Sequence, residues 1–111
     1  MTTRRRAIPV VALAVAAVAA TPSLAAPRGV DVKDDFFSPA TVKIDKGRKV
    51  VWTWRGQGRH NVVVAQGPST FRSEIKRTGT YAHRFKRTGT WQITCTVHPG
   101  MNMKVVVKKP S

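Results

Sequence analysis

The chain has 111 residues, 20 of them Lys or Arg against 5 Asp or Glu, with 3 His, for a formal net charge of +15 at pH 7. That length holds one domain and excludes an enzyme with separate catalytic and substrate-binding units. The 41% of hydrophobic residues can build a small core, so the chain is not a disordered basic tail, and its one cysteine excludes a disulfide framework.

Residues 1–25 read as a cleaved secretory signal. Arg4, Arg5 and Arg6 supply the charged start, and an Ala/Val-rich apolar run follows over 7–20. Ser23-Leu24-Ala25 then places small residues three and one positions before a cut. An uncleaved membrane anchor is the alternative, disfavoured by Pro22 and by the small-x-small site. Thr3-Arg4-Arg5 resembles the opening of a twin-arginine signal, but Arg6, Ala7 and Ile8 fit it poorly, so the export route stays open. The protein is expected to be periplasmic or otherwise extracytoplasmic, with one domain over 26–111. Cleavage removes three arginines and no acid, leaving +12 on 86 residues. From Lys46 onward 14 basic residues face Glu74 alone. Such a field steers a protein toward acidic surfaces, here an acidic partner protein or an anionic envelope surface. An exported protein seldom meets nucleic acid, and none is expected as a partner.

Beyond residue 26 turn signals fall every eight to ten residues, the rhythm of an all-β domain. A short strand is predicted over 30–32, then Thr41–Asp45, which alternates around Val42 and Ile44 and ends at Lys46-Gly47. Lys49–Trp54 is β-branched and aromatic, and the loop Arg55-Gly56-Gln57-Gly58-Arg59 follows. The run 60–65 reads as a buried strand. Arg77-Thr78-Gly79-Thr80 recurs as Arg87-Thr88-Gly89-Thr90, each copy leading into a strand with an aromatic start, Tyr81 and Trp91, as successive turns of one sheet system. Trp91, Ile93 and Cys95 share one face, and 104–108 closes the domain. Seven to eight short strands in this length imply a Greek-key β-sandwich or barrel.

Chemistry-bearing residues concentrate near the C-terminus. Cys95, His98 and Met101 lie within seven residues, and His60 starts an earlier strand. Thiolate, two imidazoles and a thioether make the donor set of a blue-copper site, trigonal His2Cys with a weak axial sulfur. Soft sulfur ligands favour Cu(I), and imidazole suits both oxidation states. Export strengthens the case, since an unpaired cysteine outside the cell calls for something to hold its sulfur. Structural zinc is the alternative metal, but zinc makes little use of Met. Taken singly, Cys95 would be a buried small hydrophobe and His60 a surface residue at a strand start.

Arg59-His60-Asn61-Val62 together with Cys95-x2-His98-x2-Met101 resembles the ligand pattern of the cupredoxins, the type 1 blue copper proteins. The loop spacing is the amicyanin one, with plastocyanin a more distant likeness. Phe37-x-Pro39, Ile44, Gly47 and Val50-x-Trp52 extend the resemblance over most of residues 30–108. Arg59, where the family commonly has Pro, Met103, where Gly is frequent, and Trp54, where Asn is frequent, depart from it.

The resemblance implies one copper held by His60, Cys95, His98 and Met101, and a non-enzymatic, monomeric electron carrier cycling between Cu(II) and Cu(I). It implies that Asn61 ties its loop to Thr96, and that electrons pass through His98 at an apolar patch of Val97, Pro99 and Gly100 to a redox partner protein with an acidic docking surface. Copper delivery or tolerance without redox cycling is the alternative function, using the soft cluster of Cys95, Met101 and Met103. Met103 is the alternative axial ligand, at the plastocyanin spacing. Met101 is favoured because it leaves 104–108 as an ungapped strand and orders a shorter loop. His83, between Tyr81 and Phe85, is expected to be a packed histidine and no ligand.

Overall fold

Alternating burial writes the strands into the structure. In the computed structural model, which describes residues 26–110, Val42 and Ile44 of Thr41–Asp45 are buried while Thr41 and Lys43 face solvent. The same period of two runs through most of the eight strands: β1 (Arg28–Lys33), β2 (Phe36–Ser38), β3 (Thr41–Asp45), β4 (Lys49–Trp54), β5 (Val63–Gln66), β6 (Thr80–Arg84), β7 (Gly89–Thr94) and β8 (Asn102–Lys108). No helix occurs among the described residues. The signal predicted over 1–25 lies outside them.

Two four-stranded sheets face each other, ordered β2-β1-β4-β6 and β3-β8-β7-β5. Each contains one parallel pair between strands distant in sequence: β1 beside β4 in the first, β3 beside β8 in the second. The other pairs are antiparallel. Between the sheets lies an apolar core with Trp52, Phe85, Trp91, Ile44, Ile93 and Val105 all buried. Trp52 packs against Phe71, Tyr81 and Phe85, and Phe85 meets Trp91 edge-on at 4.9 Å. Burial of such large aromatics supplies much of the driving force in a domain this small.

Three elements depart from expectation. The three-residue β2, with exposed Phe36, has no repeating pattern to reveal it and forms by pairing back onto β1. The run 60–65 is not a buried strand throughout: Val62 is buried, Val63 and Val64 are half-buried, and Ala65 is exposed, because β5 is an edge strand with an irregularity between Val64 and Gln66. The two Arg-Thr-Gly-Thr copies lead into β6 and β7, which belong to different sheets, so the echo marks similar turns and not one sheet.

Strand direction places the site. β1 and β4 run parallel and finish at the same end of their sheet, and the hairpin β7–β8 turns over residues 95–101. Contacts across the gap bring the β1–β2 turn, the loop after β4 and the β7–β8 loop together at one end of the sandwich.

Candidate metal centre

His60 is fully buried. Its backbone exchanges both hydrogen bonds with Lys76, each at 3.0 Å, and its carbonyl accepts the Trp54 indole N–H at 3.0 Å. Next to it, buried Asn61 spans to the β7–β8 loop: its amide oxygen accepts the Thr96 backbone N–H and its amide nitrogen donates to the Thr96 hydroxyl, both at 2.8 Å. Two bonds across 35 residues of chain fix the spacing between the loops that carry His60 and Cys95.

The β7–β8 loop is a compact turn closed on itself. The Cys95 N–H donates to the Met101 carbonyl at 3.0 Å, and the Met101 N–H donates to the His98 carbonyl at 3.1 Å. Gly100 lies at φ +89°, a left-handed conformation that a residue with a Cβ adopts only under strain. Cys95 and Met101 are buried, the His98 side chain is 34% exposed, and Val97, Pro99 and Gly100 face solvent around it.

The two imidazoles meet at the thiol. Nδ1 of His60 and Nδ1 of His98 are 3.1 Å apart, and Sγ of Cys95 lies 3.9 Å from the first and 3.7 Å from the second. A point equidistant from the three atoms is about 2.1 Å from each, inside the roughly 2.0–2.3 Å that first-row metals make to imidazole and thiolate.

The opposite edge of each ring strengthens the case. Nε2 of His60 is 2.9 Å from Oδ1 of Asp34, and Nε2 of His98 is 3.2 Å from Oδ1 of Asp35. A carboxylate only accepts, so the hydrogen bond to Asp34 places the ring proton of a neutral His60 on Nε2 and leaves its Nδ1 with a lone pair facing the cluster. Two imidazole nitrogens 3.1 Å apart beside the Cys95 sulfur converge on one point, the arrangement a metal cation between them would stabilise. The donor set, two nitrogens and a soft sulfur, fits copper.

One sulfur contact separates the methionines. The Met103 thioether accepts the buried Trp52 indole N–H at 3.2 Å, and Met103 sits within β8 opposite Ile93. Met101 is buried in the ligand loop itself, one residue before β8 begins. His83 stacks on Phe71 at 3.9 Å and meets Phe85 edge-on at 4.9 Å, away from the cluster; burial, with Lys86 nearby, pushes its imidazole below the ordinary value.

Asp34, Asp35, Gly56 and Gly58 were not among the residues expected to shape the site. Asp34 also accepts backbone N–H groups from Gln57 and Gly58, each at 2.8 Å. The Gln57 N–H, the His60 ring and the Gly58 N–H hold its carboxyl down to about 2. A Cβ on Gly56 would overlap the Asp34 carboxylate, and one on Gly58 would stand 3.2 Å from Nε2 of His60. A Gly-x-Gly loop just before a candidate ligand, and an acidic pair at a strand end, are the sequence signals that mark this arrangement.

The family model for copper-binding proteins of the plastocyanin/azurin family matches residues 27–108. Amicyanin-alpha of Methylorubrum extorquens is 34% identical over 113 aligned residues, covering 87% of this chain and 95% of the relative. Halocyanin of Natronomonas pharaonis is 32% identical over 71 residues, covering 60% of this chain and 44% of its own length. Among solved structures, a reduced amicyanin variant superimposes with a TM-score of 0.67 at 27% identity, covering 74% of this chain and 82% of that one. A copper-containing nitrite reductase from Thermus scotoductus gives the same TM-score at 24% identity; this chain spans 23% of it, and the likeness is one of fold.

Proposed function

The chain belongs to the plastocyanin/azurin family of copper-binding proteins, and we propose that it carries single electrons on one copper held by His60, Cys95, His98 and Met101. The observation that carries the ligand set is the convergence of two imidazole Nδ1 atoms and the Cys95 sulfur, mostly shielded from water. Copper supplies the one-electron couple. The protein holds a donor geometry acceptable to both oxidation states, which lowers the reorganisation that electron transfer demands. Four protein ligands leave no open position for a substrate, so the centre exchanges electrons and catalyses no bond change.

Met101 would supply the thioether ligand in this reading, because the Met103 sulfur is engaged by Trp52 within the core. The same contact counts against the copper-delivery alternative, since neither methionine presents an accessible soft surface. Electrons enter and leave at His98, the one ligand with an exposed edge, through the patch of Val97, Pro99 and Gly100. Exposed Arg55 and Arg59 lie on the loop leading to His60, and with the net charge they favour a redox partner whose docking surface is acidic. Residues 1–25 direct export, and the domain works as a monomer outside the cytoplasm.

Reversible voltammetry tests the carrier. One-electron oxidation and reduction with the copper retained over repeated cycles is the expected result. Release of the metal to an acceptor apoprotein, with no reversible couple, would replace the carrier by a delivery protein.

A further inference from the structure

We propose that the β1–β2 turn, through its consecutive carboxylates Asp34 and Asp35, is the positioning element for both ligand histidines and holds the copper's reduction potential down. The proposal rests on the ligand reading above and adds two residues to it.

Adjacent residues of an extended strand point to opposite faces, so two neighbouring side chains rarely serve one site. Here the turn changes that. Asp35 sits at φ +73°, the left-handed conformation that Asp tolerates better than most residues, and both carboxylates reach the same loop cluster. Asp34 takes Nε2 of His60 at 2.9 Å and Asp35 takes Nε2 of His98 at 3.2 Å.

The two attachments differ in firmness. Asp34 is fixed by the Gln57 and Gly58 N–H groups, and the absence of a Cβ at Gly56 leaves it room. Turn, Gly-x-Gly loop and His60 thereby form a closed ring of contacts. Asp35 is 70% exposed and leans only on His98. Asp34 is therefore the stronger element.

Two consequences follow from the chemistry. Asp34 selects the His60 tautomer with Nδ1 free for the metal and raises the donor strength of that nitrogen, while Asp35 stands 3.2 Å from Nε2 of His98. Each carboxylate also sets a negative charge across the imidazole ring from the nitrogen that would hold copper, where it would stabilise Cu(II) more than Cu(I). Partial solvent exposure screens the charges without changing the sign. Both effects lower the potential.

The experiment compares wild-type protein with Asp34→Asn, Asp35→Asn, the double variant and Asp34→Ala. It reads the reduction potential, the Cu(II) and Cu(I) affinities by chelator competition, and the ring-nitrogen NMR shifts of the metal-free chain. Asparagine keeps an acceptor oxygen and removes the charge. Asp34→Asn is expected to raise the potential and to weaken Cu(II) binding by about 10–100-fold, with a smaller loss for Cu(I). Asp35→Asn should act in the same direction and less, and the double variant more than either. The metal-free His60 ring should keep its Nε2 proton in Asp34→Asn and populate both tautomers in Asp34→Ala. Unmoved potentials in Asp34→Asn and the double variant would overturn the proposal, as would equal loss of affinity for both oxidation states, the mark of a merely structural role. A wild-type protein that fails to form a blue copper centre would overturn the ligand reading itself; a blue wild type with unmoved variants would overturn only the role of the turn.

Discussion

The two imidazoles that meet at Cys95 are held in opposite ways. His60 is buried, locked by backbone bonds to Lys76, by the Trp54 indole and by a carboxylate that is itself clasped by a loop. His98 rides a short loop with its outer edge open to solvent, and beyond the cluster its ring meets the exposed Asp35. A buried arm that cannot move and an exposed arm that a partner can touch divide the work of an electron carrier. One sets ligand geometry and the other gives the electron a way out.

The largest break in that comparison removes the point where the arms meet. Cys95→Ser deletes the thiolate, so the copper-loaded protein is expected to lose its intense visible absorption and its reversible couple, measured by absorption spectroscopy and voltammetry. Truncation on each arm then separates their roles. Asn61→Ala strips two hydrogen bonds from Thr96 and should cost about 1–3 kcal/mol in denaturant unfolding of the metal-free chain. Val97→Ala, on the open side, should change unfolding by no more than about 0.5 kcal/mol while slowing electron exchange with a redox protein. Equal destabilisation by both would erase the distinction.

The methionines sharpen it further. Met101→Leu should raise the reduction potential and perturb the copper spectrum with little change in stability. Met103→Leu leaves the Trp52 N–H without its acceptor and should lower stability by about 1 kcal/mol with the potential unmoved. A potential shift from Met103→Leu alone would reverse the axial assignment. The smallest effect lies at His83, remote from both arms. Its folded value is below the ordinary imidazole value, so the unfolded chain binds the proton more readily. Stability is full above about pH 6.5 and falls as pH drops from there through the lower folded value. Urea titrations of His83→Phe should show that slope flattened.

Much of this was legible in the residues. Strands β3, β4 and β7 announce themselves by alternation that burial alone enforces, and a thiolate, two imidazoles and a thioether at Cys95-x2-His98-x2-Met101 leave few chemical readings. Strand β2 was not legible, since three residues carry no period, and Val62 to Ala65 misled because an apolar run does not say which strand lies at a sheet edge. The sheet assignment of the two Arg-Thr-Gly-Thr turns likewise depends on which sheet the chain returns to. Asp34 and Asp35 were hidden for another reason. Among 20 basic residues they read as charge balance; the parallel pairing of β1 with β4 sets strand ends distant in sequence side by side and puts Asp34 against His60, and the β7–β8 loop of the facing sheet brings His98 to Asp35.

The joint optical and electron-paramagnetic spectrum of the copper-loaded protein tests the central claim most directly. A trigonal centre built from His60, Cys95 and His98 with an axial Met101 predicts an intense thiolate-to-Cu(II) band in the visible and a Cu(II) resonance narrowed in its copper hyperfine splitting by delocalisation onto sulfur. A colourless Cu(II) complex with the wide splitting of a tetragonal nitrogen and oxygen site would contradict it.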